Sequence, residues 1–97
     1  MATNKQTKVS CTELVSEWNA YLKSRKTAPE SVTVADLAGL QGFIKKTEDR
    51  SLQILLFALD NWGTFYITAT NGRPVKIPTL RFLYENVPTL LTMYKAK

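Results

Sequence analysis

The sequence predicts an all-α protein, a compact bundle of five or six short helices, and three observations carry that reading. Ser10 with Glu13, and Thr33 with Asp36, have the spacing at which two side chains satisfy orphan backbone N–H groups at a helix start. Apolar residues then recur three and four positions apart, the period of one helix face. A third stretch, residues 52–59, is apolar on nearly every side, which suits a helix enclosed by others.

Residues 1–9 lack periodicity and carry Lys5 and Lys8, so they are expected to form a polar tail or linker ahead of a single helical domain at residues 10–97. The first helix is expected from Ser10 to about Lys23. Leu14, Trp18, Tyr21 and Leu22 form its stripe, and Lys23, Arg25 and Lys26 complement the negative end of its dipole. Residues 27–32 contain Pro29 and no repeat, so they form a connector. The second helix carries Leu37, Leu40, Phe43 and Ile44, interrupted by Gly39 and Gly42. Each glycine weakens a helix by up to about 1 kcal/mol relative to alanine, unless it marks close packing. The third helix is expected from about Asp49 to Trp62, at the centre of the domain.

Residues 63–77 read two ways. Phe65-Tyr66-Ile67-Thr68 is rich in strand formers and Asn71-Gly72 is a hairpin turn signal, which gives a winged-helix-like alternative with a hairpin at 64–77. Trp62, Phe65 and Tyr66 have helical spacing instead, and Asn71-Gly72 with Pro74 beyond it also ends a helix. Helix is the preferred reading. Pro78 is then expected in the first turn of the next helix, with Leu80, Leu83, Tyr84 and Val87 as its face. Asn86 and Pro88 restart the chain into a last helix carrying Leu90, Leu91 and Tyr94.

The chain has 97 residues, 13 Lys+Arg against 8 Asp+Glu, one cysteine and no histidine. That length makes one domain at most. Without histidine the usual general base and commonest zinc ligand are missing, and Cys11 alone can form neither an internal disulfide nor a CxxC site. The longest apolar run, residues 54–59, is far shorter than the ~20 residues needed to cross a bilayer. With a polar N-terminus and a single cysteine, a cytoplasmic location without membrane association is expected.

The carboxylates Glu13, Glu17, Glu30, Asp36, Glu48, Asp49, Asp60 and Glu85 form no recognisable catalytic pattern, and the four glycines are scattered singly rather than gathered into a phosphate loop. No enzymatic activity, cofactor or metal is therefore expected. Binding remains. The cations fall into groups at helix ends and loops: Lys23/Arg25/Lys26, Lys45/Lys46/Arg50, Arg73/Lys76/Arg81 and Lys95/Lys97. Lys45, Lys46, Arg50, Arg73, Lys76 and Arg81 are the candidate phosphate contacts, with Tyr66 as a stacking platform, and they act together only on one face. An exposed patch around Tyr84, Met93 and Tyr94 would instead favour a protein partner. Trp18 and Trp62 lie on apolar stripes and belong to the core.

From Leu52 to Tyr94, an apolar helix ends in Asp60-Asn61-Trp62, followed by Phe65, Gly72, the run Pro78-Thr79-Leu80-Arg81-Phe82-Leu83, then Asn86, Leu90-Leu91 and Tyr94. This arrangement resembles the small helical C-terminal domain of bacteriophage and mobile-element replication-initiation proteins, the replisome organisers. The resemblance covers under half the chain. It implies a DNA-replication accessory that binds DNA, single-stranded rather than duplex, or a replicative helicase or its loader, with Trp62, Phe65, Leu80 and Leu83 in the core. The winged-helix origin-binding module that accompanies this domain in the family is not expected within these residues. Two other readings stand beside it. One is a small phage-type interaction module or inhibitor of a host complex. The other is a winged-helix transcriptional regulator, against which the third helix is too apolar all round to lie in a major groove.

Overall fold

Six α-helices and one 3-10 turn make up the residues described by the computed structural model, Ser10–Ala96, and no strand occurs among them. The expected tail, residues 1–9, and Lys97 lie outside the described residues. The order is α1 (Cys11–Ser24), α2 (Val34–Thr47), the 3-10 turn (Glu48–Arg50), α3 (Ser51–Asp60), α4 (Trp62–Thr70), α5 (Leu80–Glu85) and α6 (Val87–Ala96). The protein is thus an all-α bundle.

Both capping boxes form. Ser10 Oγ accepts from the Glu13 N–H at 3.2 Å while the Glu13 carboxylate accepts from the Ser10 N–H, and Thr33 and Asp36 repeat the exchange at 3.1 and 3.0 Å. At the other end of α2, the buried hydroxyls of Thr47 and Ser51 bond to each other and to the carbonyls of Phe43 and Glu48. No buried hydroxyl is left unsatisfied in this turn, which delivers the chain into α3. α3 packs against α1, α2, α4 and α6, as its all-round apolar surface requires. The fully buried core around it includes Leu14, Trp18, Phe43, Leu55, Phe65 and Leu90.

The expected helix from Asp49 to Trp62 is divided. Asn61 leaves helical geometry at φ −119°, ψ 30°, and its side-chain amide and backbone N–H both donate to the Phe57 carbonyl. The chain turns there, and Trp62 swings into an aromatic cluster with Trp18, Phe65 and Phe82.

No hairpin forms at 64–77. α4 continues to Thr70, Asn71 and Gly72 take left-handed φ of 64° and 99°, and the Gly72 N–H closes on the Ile67 carbonyl at 2.9 Å. This is the helix-stop use of Asn-Gly, not its hairpin use. Without a wing, the winged-helix alternative falls. Residues 71–79 then run to α5 as a strap without regular structure.

Pro78 is not in the first turn of α5. The cap is Thr79, whose hydroxyl accepts from the Phe82 N–H at 3.2 Å, and Pro78 precedes it. The two glycines of α2 differ. A Cβ at Gly39 would collide with the ring of Tyr84 on α5, whereas Gly42 faces open space. Only Gly39 marks close packing, and through it α5 lies directly on α2.

Candidate functional site

Lys45 and Lys46 occupy the last turn of α2 and Arg50 the 3-10 turn, all exposed, but Glu48 and Asp49 are exposed between them. Arg73 and Lys76 lie on the strap, where every residue from 71 to 77 is exposed. Arg81 lies on α5, and its Nε sits 3.0 Å from the Glu85 carboxylate in a cleft that also holds Asp36. Lys46 is ten residues further along α2 than Asp36, hence about 15 Å away at the helical rise. Lys45 and Lys46 are therefore well separated along α2 from the cleft that holds Arg81. Tyr66 is not a free platform: it is 9% exposed, and its ring stacks on Phe82 with centroids 4.5 Å apart. The aromatic cluster takes the face that a base would need.

A different grouping emerges at the junction of α3 and α4. The Tyr21 hydroxyl donates to the Leu59 carbonyl at 3.2 Å, and the Arg25 guanidinium lies over the Tyr21 ring at 4.9 Å. Three residues beyond Leu59, the Trp62 indole N–H donates to the Lys76 carbonyl at 3.0 Å. The end of α1 is thus tied to the end of α3, and the middle of the strap to the first residue of α4. Lys23, Arg25, Lys26, Arg73 and Lys76 are exposed on these two segments, with Asp60 as the exposed carboxylate of the junction. Residues 61–84 hold three cations and no Asp or Glu. The sequence shows Lys23, Arg25 and Lys26 as one of its basic groups but not what they lie near, because the Tyr21–Leu59 contact at their end of α1 spans 38 positions.

Aliphatic side chains are also exposed near the strap: Ile77 is 67% exposed, Ile67 48% and Val75 46%. Tyr84, Met93 and Tyr94, the expected apolar patch, are half-buried and packed against the core.

Between the start of α2 and α5 lies an open cleft of about 700 Å³, lined by Glu30, Thr33, Asp36, Thr79, Arg81 and Tyr84 among others. Its carboxylates are engaged. Glu30 accepts from the Trp18 indole N–H and the Leu80 N–H, both at 3.0 Å, and its own N–H donates to Asn19 Oδ1. Burial pushes the Glu30 carboxyl above the ordinary range, and these two hydrogen bonds only partly oppose it. Asp36 accepts from the Thr33 N–H and from the Tyr84 hydroxyl at 2.7 Å, which hold it below the usual carboxylate range. The same bond pushes Tyr84 up to about 12. These acids join helices and offer no vacant acid–base pair. Among the described residues, no three His, Cys, Asp or Glu side chains gather to hold a metal ion.

A pH dependence follows from the Tyr84 bond. Because the folded phenol titrates above its ordinary value of about 10, its contribution to stability is complete below pH 10 and lost as pH rises toward 12. Wild type is expected to exceed Tyr84→Phe in urea midpoint up to about pH 10, with the gap narrowing above it. A gap that stays constant through that window would refute the assignment.

Comparison with protein-family models, with curated proteins and with solved structures finds no match to this chain.

Proposed function

We propose that the chain is a non-catalytic binding module, an accessory of phage or mobile-element DNA replication that contacts DNA through its phosphates. The observation that supports this most is the α3–α4 junction, to which two cation-bearing segments distant in sequence are each hydrogen-bonded, beside a carboxylate-free stretch. Each phosphate neutralised there releases condensed counterions, which favours association and makes it salt-dependent. Arg25, Lys26, Arg73 and Lys76 are the assigned contacts. Lys45, Lys46 and Arg50 are offset by Glu48 and Asp49, and Arg81 is paired with Glu85, so they contribute less. With Tyr66 buried, affinity rests on phosphate contacts, and a preference for single-stranded DNA has the family resemblance as its only support.

The test is fluorescence anisotropy of labelled single-stranded and duplex DNA at several salt concentrations. Wild type is expected to bind at low salt with log K falling linearly in log salt. The double variant Arg73→Glu, Lys76→Glu should keep its helicity and melting temperature while the salt slope drops by about 2. Unchanged binding in that variant would remove the strap from the interface.

A second reading, a protein-interaction module that docks on a helicase, its loader or another host complex, is favoured by the exposed Ile67, Val75 and Ile77 beside the same cations. Absence of DNA binding even at low salt, with capture of a replication protein that the Val75→Ser, Ile77→Ser variant abolishes, would select it.

A further inference from the structure

The strap has no regular structure, yet it is held at three points. At its start the Arg73 N–H donates to Thr70 Oγ1 at 3.2 Å. In its middle the Trp62 indole N–H donates to the Lys76 carbonyl at 3.0 Å. At its far end the Leu80 N–H donates to the Glu30 carboxylate, the oxygen at 3.0 Å being the one that accepts from the Trp18 indole. The two indoles themselves meet edge to face, with centroids 5.9 Å apart. A buried tryptophan pair therefore fixes the middle of the strap directly and its end through Glu30.

The asymmetry of need gives this arrangement a direction. Lys76 is exposed, and water can satisfy its carbonyl. Trp62 is 7% exposed and its indole N–H is a donor only, so it requires an acceptor at that spot. The core demands the bond, and the strap is immobilised by it. We infer that Trp62 is a positioning residue for the strap, setting the place from which Arg73 and Lys76 meet a partner before that partner arrives. The inference rests on the reading that the strap is a contact surface. A preformed strap spares the complex the ordering of a loose segment, so the clamp acts on affinity without touching the partner.

The test is Trp62→Phe in the full chain, which keeps a ring against Trp18, Phe65 and Phe82 and deletes the N–H. Trypsin reports on the strap at a single bond, Lys76–Ile77, because Arg73 is followed by Pro74. Native-state cleavage there should quicken about fivefold, the size of one net hydrogen bond, while cleavage within α1 and α2 stays slow. The dissociation constant for labelled DNA should rise by less than the cleavage rate, because it follows the fraction of strap in place, and the salt slope should be unchanged since no phosphate contact is lost. Wild-type cleavage kinetics in Trp62→Phe would overturn the inference.

Should the variant fail to fold, hydrogen exchange of the wild-type Trp62 indole proton decides. Protection that is lost in the same opening that admits trypsin supports the clamp, and an unprotected proton overturns it. Absence of DNA binding by wild type would count against the proposed function alone, because cleavage and exchange need no ligand.

Discussion

Replacing Trp62 by alanine is expected to destabilise the fold by about 3–5 kcal/mol. The indole is 7% exposed and makes ring contacts with Trp18, Phe65, Tyr66 and Phe82, so truncation opens a cavity where α1, α4 and α5 meet. It also frees the Lys76 carbonyl. In a domain of this size each kcal/mol moves Tm by about 4–8 °C, so thermal melting by circular dichroism reads the loss directly. A variant as stable as the parent would show that the aromatic cluster does not hold these helices together.

The second large effect is at Glu30. Glu30→Ala leaves the Trp18 indole N–H and the Leu80 N–H without their acceptor, at a cost of about 1–3 kcal/mol for each donor that remains unsatisfied. Glu30→Gln should behave oppositely at neutral pH. It keeps an oxygen for both donors and removes a charge that burial and the nearby Asp36 disfavour. Because the folded carboxyl titrates above its ordinary value, its favourable contribution is complete below about pH 4.3 and lost as pH rises through the folded value. Wild type should therefore lose stability relative to Glu30→Gln between about pH 4 and neutrality. Asp36, held low, has the reverse slope: its contribution is present above about pH 3.9 and lost in acid. Urea midpoints of wild type, Glu30→Gln and Asp36→Asn from about pH 3 to neutrality check both signs. A parallel course for wild type and Glu30→Gln would mean that the Glu30 charge costs nothing in the fold.

The helices were legible because their signals are local. Each capping box lies within four residues, and stripes such as Leu14, Trp18 and Leu22 declare their own period. The break at Asn61 was not legible, because residues 49–62 contain no glycine or proline and the stop is a side-chain amide reaching back one turn. At 64–77 the β-branched and aromatic residues suited either structure, and packing of Trp62, Phe65 and Tyr66 on Phe82 favours the helix. For the candidate site, residue types were visible and groupings were not. The strap at Lys76 and the end of α1 at Tyr21 are placed only by the Trp62 and Tyr21 bonds, and Tyr66 looked available only while its neighbour Phe82 was unknown. Glu30 gave no signal at all, a lone acid in a connector whose partners lie 12 and 50 positions away.

That span of 50 positions between Glu30 and Leu80 also bears on how quickly the chain folds and comes apart. With the 48-position bond from Tyr84 to Asp36, it means that α5 can dock on α2 only after the intervening chain has been gathered into a closed loop. Pairs nearer in sequence, such as α2 with α3 and α3 with α4, are expected to meet earlier on the route to the native state. Contacts that form after the rate-limiting barrier govern escape from the native basin more than entry into it. Loss of Glu30 should accordingly leave the refolding limb of a stopped-flow chevron nearly unmoved and raise the unfolding limb, making this carboxylate a determinant of the native state's lifetime.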